Sequence, residues 1–143
     1  MHICIQLNGP DDIVLPLHYN HIVQGFIYNM IDRELAEFLH GTGYGSQRKF
    51  KLFCFSNIIG KPVIDKDNDN IIFKPPVKLE VSSPDERFCE SFANTILKKE
   101  AKLGKNVLEI ESIEINRQDI LDNKAVFRTL SPITAYSTLL RPD

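Results

Sequence analysis

The opening segment HICIQL alternates with a period of two. Ile3, Ile5 and Leu7 share one face, and His2, Cys4 and Gln6 share the other. This is the pattern of a strand with one buried side. A turn-rich stretch follows, closed by Pro16. From about Asn20 the period lengthens: Val23, Phe26, Ile27, Met30 and Ile31 recur at three- and four-residue intervals, predicting an amphipathic helix. Gly25 lies inside it, a costly place for glycine, and so is expected to admit another backbone closely. Asp32 can cap a second, shorter helix carrying Leu35, Phe38 and Leu39 and ending at His40-Gly41.

A glycine-punctuated loop, GTGYGSQR, leads into KFKLFCFS. The latter predicts a strand with Phe50, Leu52 and Cys54 on one side and Lys51, Phe53 and Phe55 on the other. Residues 61–76 read as an excursion in which a DKDNDN turn joins two short apolar runs, and Lys78–Val81 is the next strand. Ser83, Pro84, Asp85 and Glu86 then supply an N-cap, a first-turn proline and a capping-box carboxylate. The helix they start has the stripe Phe88, Phe92 and Ile96, extends toward Leu103 with Lys98, Lys99 and Lys102 near its end, and stops at Gly104. A strand at about 107–117 changes phase between Leu108/Ile110 and Ile113/Ile115, predicting a bulge near Glu111–Ser112.

The order strand, helix, strand, strand, helix, strand predicts an α+β, ferredoxin-like (RRM-like) βαββαβ fold. It places two helices on one face of a four-stranded antiparallel sheet and leaves the other face for partners. That domain spans residues 1–118. Residues 119–143 are a linker and a further strand at 125–138, AVFRTLSPITAYST, that lacks a partner in sequence. An apolar strand left unpaired predicts either an unexpected place in the sheet or a chain that is the first part of something longer, and an exposed strand of this kind is also expected to self-associate as a homodimer.

Composition adds limits. At 143 residues, 43% hydrophobic and 25% charged, the chain is long enough to own a core without staples. No apolar run approaches the ~18 residues of a membrane span, and the N-terminus lacks the plan of a signal peptide. Cys4, Cys54 and Cys89 are scattered and odd in number, so they are expected to pack as small apolar residues in a reducing cytoplasm. No histidine has a metal-ligand companion at useful spacing, so no metal or cofactor is expected. The net charge of -2 argues against nucleic acid, but it is an average. Residues 1–40 hold one basic and five acidic side chains, whereas residues 41–80 hold seven basic and four acidic.

Three residues near the basic middle carry candidate chemistry. Gly41, Gly43 and Gly45 follow a helix rather than a strand and lack GK[ST], so they make a mobile loop and not a nucleotide cradle. His40 ends a helix beside that loop, where imidazolium is favoured and proton transfer near neutral pH is feasible. Tyr28 sits at the margin of the first helix's apolar stripe. Lys51 opens the following strand next to Arg48 and Lys49. Singly, each has an ordinary structural role: a helix cap, a core-edge aromatic, a solvated loop edge.

In series they resemble something specific. The strings LPLHYNHIVQGFIYNMI, LAEFLHGTGY, RKFKLFCFSNIIG and FRTLSPI resemble, in order, the CRISPR-associated endoribonuclease family that cuts precursor guide RNA within its repeats. The resemblance implies two ferredoxin-like halves, of which this chain has the first and the opening strand of a second. It implies metal-independent attack by a 2′-hydroxyl, leaving a 2′,3′-cyclic phosphate and a 5′-hydroxyl. It places the catalytic residues on Tyr28, His40 and Lys51, with Lys49 as the alternative lysine, and RNA contacts on Arg48 and Lys49. His40 would serve as general acid or general base, Lys51 would stabilise phosphorane charge, and Tyr28 would orient the 2′-hydroxyl. The implied partners are CRISPR repeat RNA and the subunits of an interference complex. The family's C-terminal glycine-rich loop has no counterpart here, which puts cleavage by this chain alone in question. Two alternatives remain: a non-catalytic repeat-RNA-binding subunit of the same fold, and a structural or small-molecule-binding ferredoxin-like domain.

Overall fold

The computed structural model describes residues 1–46, 49–117, 123, 124, 126, 128 and 129. Its centre is β1 (His2–Asn8), whose Ile3, Ile5 and Leu7 are fully buried as the alternation predicts. β1 pairs antiparallel with β6 (Val77–Ser82) on one side and β8 (Asn106–Asn116) on the other. Ile5 stands opposite both Leu79 and Ile113, so the apolar positions of three strands share one face. The edges are β3 (Cys54–Phe55) beside β6 and β7 (Ala101–Leu103) beside β8, giving the order β3-β6-β1-β8-β7.

Three helices are described: α1 (Asn20–Asn29), α2 (Arg33–Gly41) and α3 (Glu86–Ile96). Val23, Phe26 and Ile27 of α1 and Phe88, Cys89, Phe92 and Ile96 of α3 join the strand residues in one core. The ferredoxin-like plan holds, with β3, β6, β1 and β8 as its four strands and α1 and α3 as its two principal helices. β7 adds a fifth strand to the predicted four.

The predicted bulge is present. The β1–β8 register shifts between Gln6, opposite Ser112, and Leu7, opposite Ile110. Glu111 is the extra residue, and its carboxylate accepts a 2.6 Å hydrogen bond from Gln6 Nε2. The excursion at 61–76 is ordered more fully than expected. β4 (Pro62–Asp65) and β5 (Asn70–Phe73) form a hairpin whose turn is closed by Asp65 accepting from the backbone of Asp67 and Asn68. The stretch before Pro16 is not merely a turn: β2 (Ile13–Pro16) joins β5 to complete a second sheet, β2-β5-β4. Asn106 borders that sheet, its amide accepting from Val14 N–H and donating to Val14 C=O.

Other expectations are corrected. The N-cap of α3 is Asp85, which accepts from Arg87 N–H, rather than Ser83. Ser83 is buried, donates to Leu52 C=O and accepts from Asp85 N–H. The same helix ends at Ile96, well short of Leu103. Ala101 and Leu103 are buried with Lys102 exposed between them, the period of a strand. Gly104, at φ +65°, turns β7 into β8, with Leu103 paired to Asn106 across the turn. Lys99 therefore does not serve α3 from a final helical turn; its ammonium donates to Asn29 C=O at the end of α1, 2.9 Å away.

The predicted strand at 50–55 is cut to Cys54–Phe55. Leu52 adopts φ +52°, which β-ladder geometry does not tolerate, so Lys51 precedes the sheet instead of opening a strand. Gly25 admits no close backbone: a methyl group in place of its hydrogen would meet no atom within 4 Å. Cys89 is buried and Cys4 half-buried, but Cys54 is exposed and is not a packing residue. The domain boundary near 118 and most of the predicted strand at 125–138 lie outside the described residues.

The uncovered face of the main sheet is polar. His2, Cys4, Gln6, Lys78, Glu80, Ser112 and Glu114 point that way, and His2 Nε2 lies 3.0 Å from Glu80. Among the described strand residues it presents no aromatic ring, so it lacks the stacking platform by which such sheets read single-stranded RNA.

Candidate functional site at the ends of α1 and α2

The candidate chemistry lies where two helices end and the loop after them returns. α1 buries Val23, Phe26 and Ile27. Tyr28, one position past Ile27, is therefore rotated to the margin of that stripe and is half-buried. α2 is capped by Asp32, whose carboxylate accepts from Leu35 N–H (2.9 Å) and Ser91 Oγ (2.6 Å). The Ser91 hydrogen bond, then that from Leu35, holds the Asp32 carboxyl below its ordinary pKa. This cap ties α2 to α3 and sets which face of α2 turns inward. Leu39 is buried, so His40 beside it is exposed in the last turn of the helix.

α2 stops because Thr42 and Gly43 N–H both donate to Phe38 C=O. Gly43 has φ +62°, and a side-chain carbon there would stand 2.8 Å from Phe50 O. Glycine is required at this turn. Beyond it Tyr44 and Phe50 exchange two backbone hydrogen bonds, so the loop closes as a small hairpin. Lys49 lies on its returning arm and donates to Gly41 C=O at 2.8 Å, neutralising an end carbonyl of α2 next to His40. The left-handed Leu52 then redirects the chain, and Lys51 is brought back over α1.

Tyr28, His40 and Lys51 thus converge. The rings of Tyr28 and His40 are edge to face, 6.2 Å between centroids. Lys51 Nζ lies 5.5 Å from the Tyr28 centroid, a cation–π contact. Phe53 also meets Tyr28, at 5.7 Å and nearly perpendicular, and stacks on Phe88 at 5.0 Å; Phe88 in turn faces Phe92. The aromatic column fixes Tyr28 from the core side. Strand alternation makes Phe53 a core residue and no more; its contact with Tyr28 arises from the turn at Leu52, which alternation does not reveal.

One feature differs from what a substrate-orienting phenol needs. The Tyr28 hydroxyl is buried and has no hydrogen-bond partner among the described residues. In this conformation its ring, rather than its oxygen, faces the lysine. Arg48 lies outside the described residues. Lys49 and Lys51 are distinguishable here: the first is engaged with a helix terminus, and the second faces Tyr28. Among the described residues no three His, Cys, Asp or Glu side chains converge as a metal-binding group, and no helix is long and apolar enough to cross a membrane.

A polar knot anchors the loop on its other side. Tyr44 Oη donates to Asp85 and accepts from Arg87 at 3.1 Å, while Phe38 packs edge-on against the Tyr44 ring at 5.1 Å. Burial, reinforced by the hydrogen bond to Asp85, raises the pKa of Tyr44. Burial opposes ionisation of Asp85, but hydrogen bonds from Tyr44 and Arg87 outweigh it and lower its pKa. Sequence reasoning missed this group, because its three members are joined only by the fold.

Residues 14–114 match the family described as "CRISPR-associated protein Cas6, N-terminal". The chain belongs to the Cas6 family. The match includes Tyr28, His40, Lys49 and Lys51. Solved structures agree in fold. One described as "CRISPR associated protein Cas6" has a TM-score of 0.58 at 23% identity, over 83% of this chain and 49% of that one. A Cas6-related protein from Pyrococcus furiosus has a TM-score of 0.67 at 23% identity, over 86% and 50% respectively. A third, described as a RAMP protein binding different RNA substrates, has a TM-score of 0.63 at 26% identity, over 84% and 50%. This Cas6-family chain therefore spans about half the length of those structures. No curated protein sequence is similar enough to add to the comparison.

Proposed function

We propose that this chain carries the catalytic residues of a CRISPR repeat endoribonuclease, its substrate being precursor guide RNA. The observation that carries the proposal is the convergence of Tyr28, His40 and Lys51 from three separate segments onto one surface site. Such a site suits internal transesterification. The 2′-oxygen attacks phosphorus as its proton is removed, the P–O5′ bond breaks, and the departing 5′-oxygen is protonated. The products are a 2′,3′-cyclic phosphate and a 5′-hydroxyl.

His40 is exposed and free to serve either proton transfer. Lys51 is the better-placed lysine for the phosphorane, because its ammonium is not committed to a helix carbonyl as that of Lys49 is. Lys49 and Arg48 supply backbone contacts, whose contribution falls with salt. Tyr28 supports Lys51 with its ring and reaches the 2′-hydroxyl only by turning its oxygen out of the core.

The buried Tyr28 oxygen is also what favours a second reading, a repeat-RNA-binding subunit that does not cut. The similar structure described as a RAMP protein binding different RNA substrates is compatible with it. End-labelled repeat RNA, incubated with the chain and with Lys51→Ala, each supplemented with the C-terminal half of a Cas6 relative, separates the two. Cleavage leaving a cyclic phosphate, slowed about 100-fold or more by the substitution, supports the enzyme. Salt-sensitive binding with no product supports the binding subunit, and neither binding nor cleavage refutes both.

A further inference from the structure

A groove of about 330 Å³ lies between α2 and the start of α3, lined by Asp32, Glu34, Leu35, Phe38 and Arg87. None of its lining residues belongs to the Tyr28–His40–Lys51 cluster, although α2 contributes to both. Leu35 and His40 are about 7.5 Å apart along the axis of α2 but face different sides of it, a separation that a few nucleotides can span. We infer that this groove receives a single unpaired guanine base of the RNA substrate. The inference rests on the RNA reading above and deepens it.

Size comes first. The volume is at the small end of the ~300–1,000 Å³ usual for small-molecule sites, enough for one base and too little for a helix or strand. Charge comes second. Two carboxylates against one guanidinium, itself paired with Asp85, leave the groove net acidic and repel a phosphate. A neutral ring with both donors and acceptors satisfies both signs. Phe38 and Leu35 supply an apolar wall, and Phe38 is steadied by its edge contact with Tyr44.

The polar groups select among bases. Guanine presents two adjacent donors, N1–H and the 2-amino group, which a carboxylate accepts together. Its O6 and N7 accept from an arginine. Adenine and the pyrimidines do not offer both sets. Arg87 is preorganised, held by Tyr44 Oη at 3.1 Å and by Asp85, yet its side chain is 72% exposed. Asp32 is held by Ser91 and Leu35. Glu34 makes no hydrogen bond or ion pair among the described residues, which leaves its carboxylate available for the base. Tyr44 belongs to the loop that carries Lys49, so a base bound against Arg87 is anchored through the same knot that positions the site.

Fluorescence anisotropy with single-stranded repeat RNA tests this. Each guanosine is replaced in turn by inosine, which lacks only the 2-amino group. One position is expected to weaken binding at least 5-fold, and Glu34→Gln should abolish that difference. Phe38→Leu should weaken binding of the parent RNA about 5- to 50-fold. No inosine-sensitive position, or full discrimination retained in Glu34→Gln, overturns the guanine site while RNA binding itself stands. Absence of any salt-sensitive RNA binding overturns the site together with the function on which it rests.

Discussion

Replacing Tyr28 by phenylalanine should separate stability from chemistry. The Tyr28 hydroxyl is buried without a partner among the described residues, so folding removes it from water and returns no hydrogen bond. Such a loss costs about 1–3 kcal/mol. Phenylalanine keeps the contacts with Phe53, His40 and Lys51 and deletes one oxygen, leaving a void too small to offset the gain fully. A net stabilisation of about 1 kcal/mol is expected, corresponding to a rise in Tm of about 3–5 °C at this chain length. Urea unfolding followed by circular dichroism measures it. The same variant should cut repeat RNA at least 10-fold more slowly if the oxygen turns outward to the 2′-hydroxyl. More stable and less active is the signature of a group retained for function. A variant destabilised by more than about 0.5 kcal/mol would refute the reasoning, because the hydroxyl would then have a native partner.

Three further substitutions have outcomes set by the same structure. Asp32→Ala should cost about 1 kcal/mol in denaturant unfolding, from a lost N-cap and the lost tie to Ser91. Because the folded pKa values of Asp32 and Asp85 are lowered, their stabilisation is complete above the ordinary carboxylate value of about 3.9. It is lost as pH falls through the lower folded values, so Asp32→Ala should flatten the acid limb of a stability profile. Gly25→Ala should stabilise the chain by about 0.5–1 kcal/mol, since open space surrounds that helical position; a Tm that falls would show a contact not accounted for. Gly43→Ala should do the reverse, losing more than about 1 kcal/mol and displacing Lys49, which salt-dependent RNA binding would register.

Much of the fold was legible because burial obeys simple periods. Ile3, Ile5 and Leu7 declare the central strand, and the phase change at Glu111 declares its bulge, each within one short window. Asp32 was readable as a cap because capping is local. Sequence pattern and structure part where one local signal fits two roles. Ser83-Pro84-Asp85 contains two capping side chains, and the burial of Ser83 against Leu52 decides between them. Lys98–Gly104 continues the helical stripe on paper, but β8 draws Ala101 and Leu103 into a hairpin. β2 was invisible because its partner lies more than fifty residues away, at Asn70–Phe73.

The site divides the same way. The family resemblance points to Tyr28, His40 and Lys51, and the fold brings them together. Nothing in periodicity foretold that Lys51 reaches Tyr28 through a left-handed Leu52, or that Phe53 backs the phenol. The Tyr44–Asp85–Arg87 knot could not be read either, since a hydrogen-bonded group spanning forty residues leaves no local trace. Each of these depends on tertiary geometry, where single-sequence patterns carry little information.

The central claim concerns His40, and one comparison addresses it most directly. Repeat RNA labelled at its 5′ end is incubated in EDTA, under single-turnover conditions, with the chain and with His40→Ala, each supplemented with the C-terminal half of a Cas6 relative. The account predicts cleavage by the parent and a rate lower by about 10²–10⁴ in the variant, with RNA binding unchanged. Equal cleavage rates for the two proteins would contradict it.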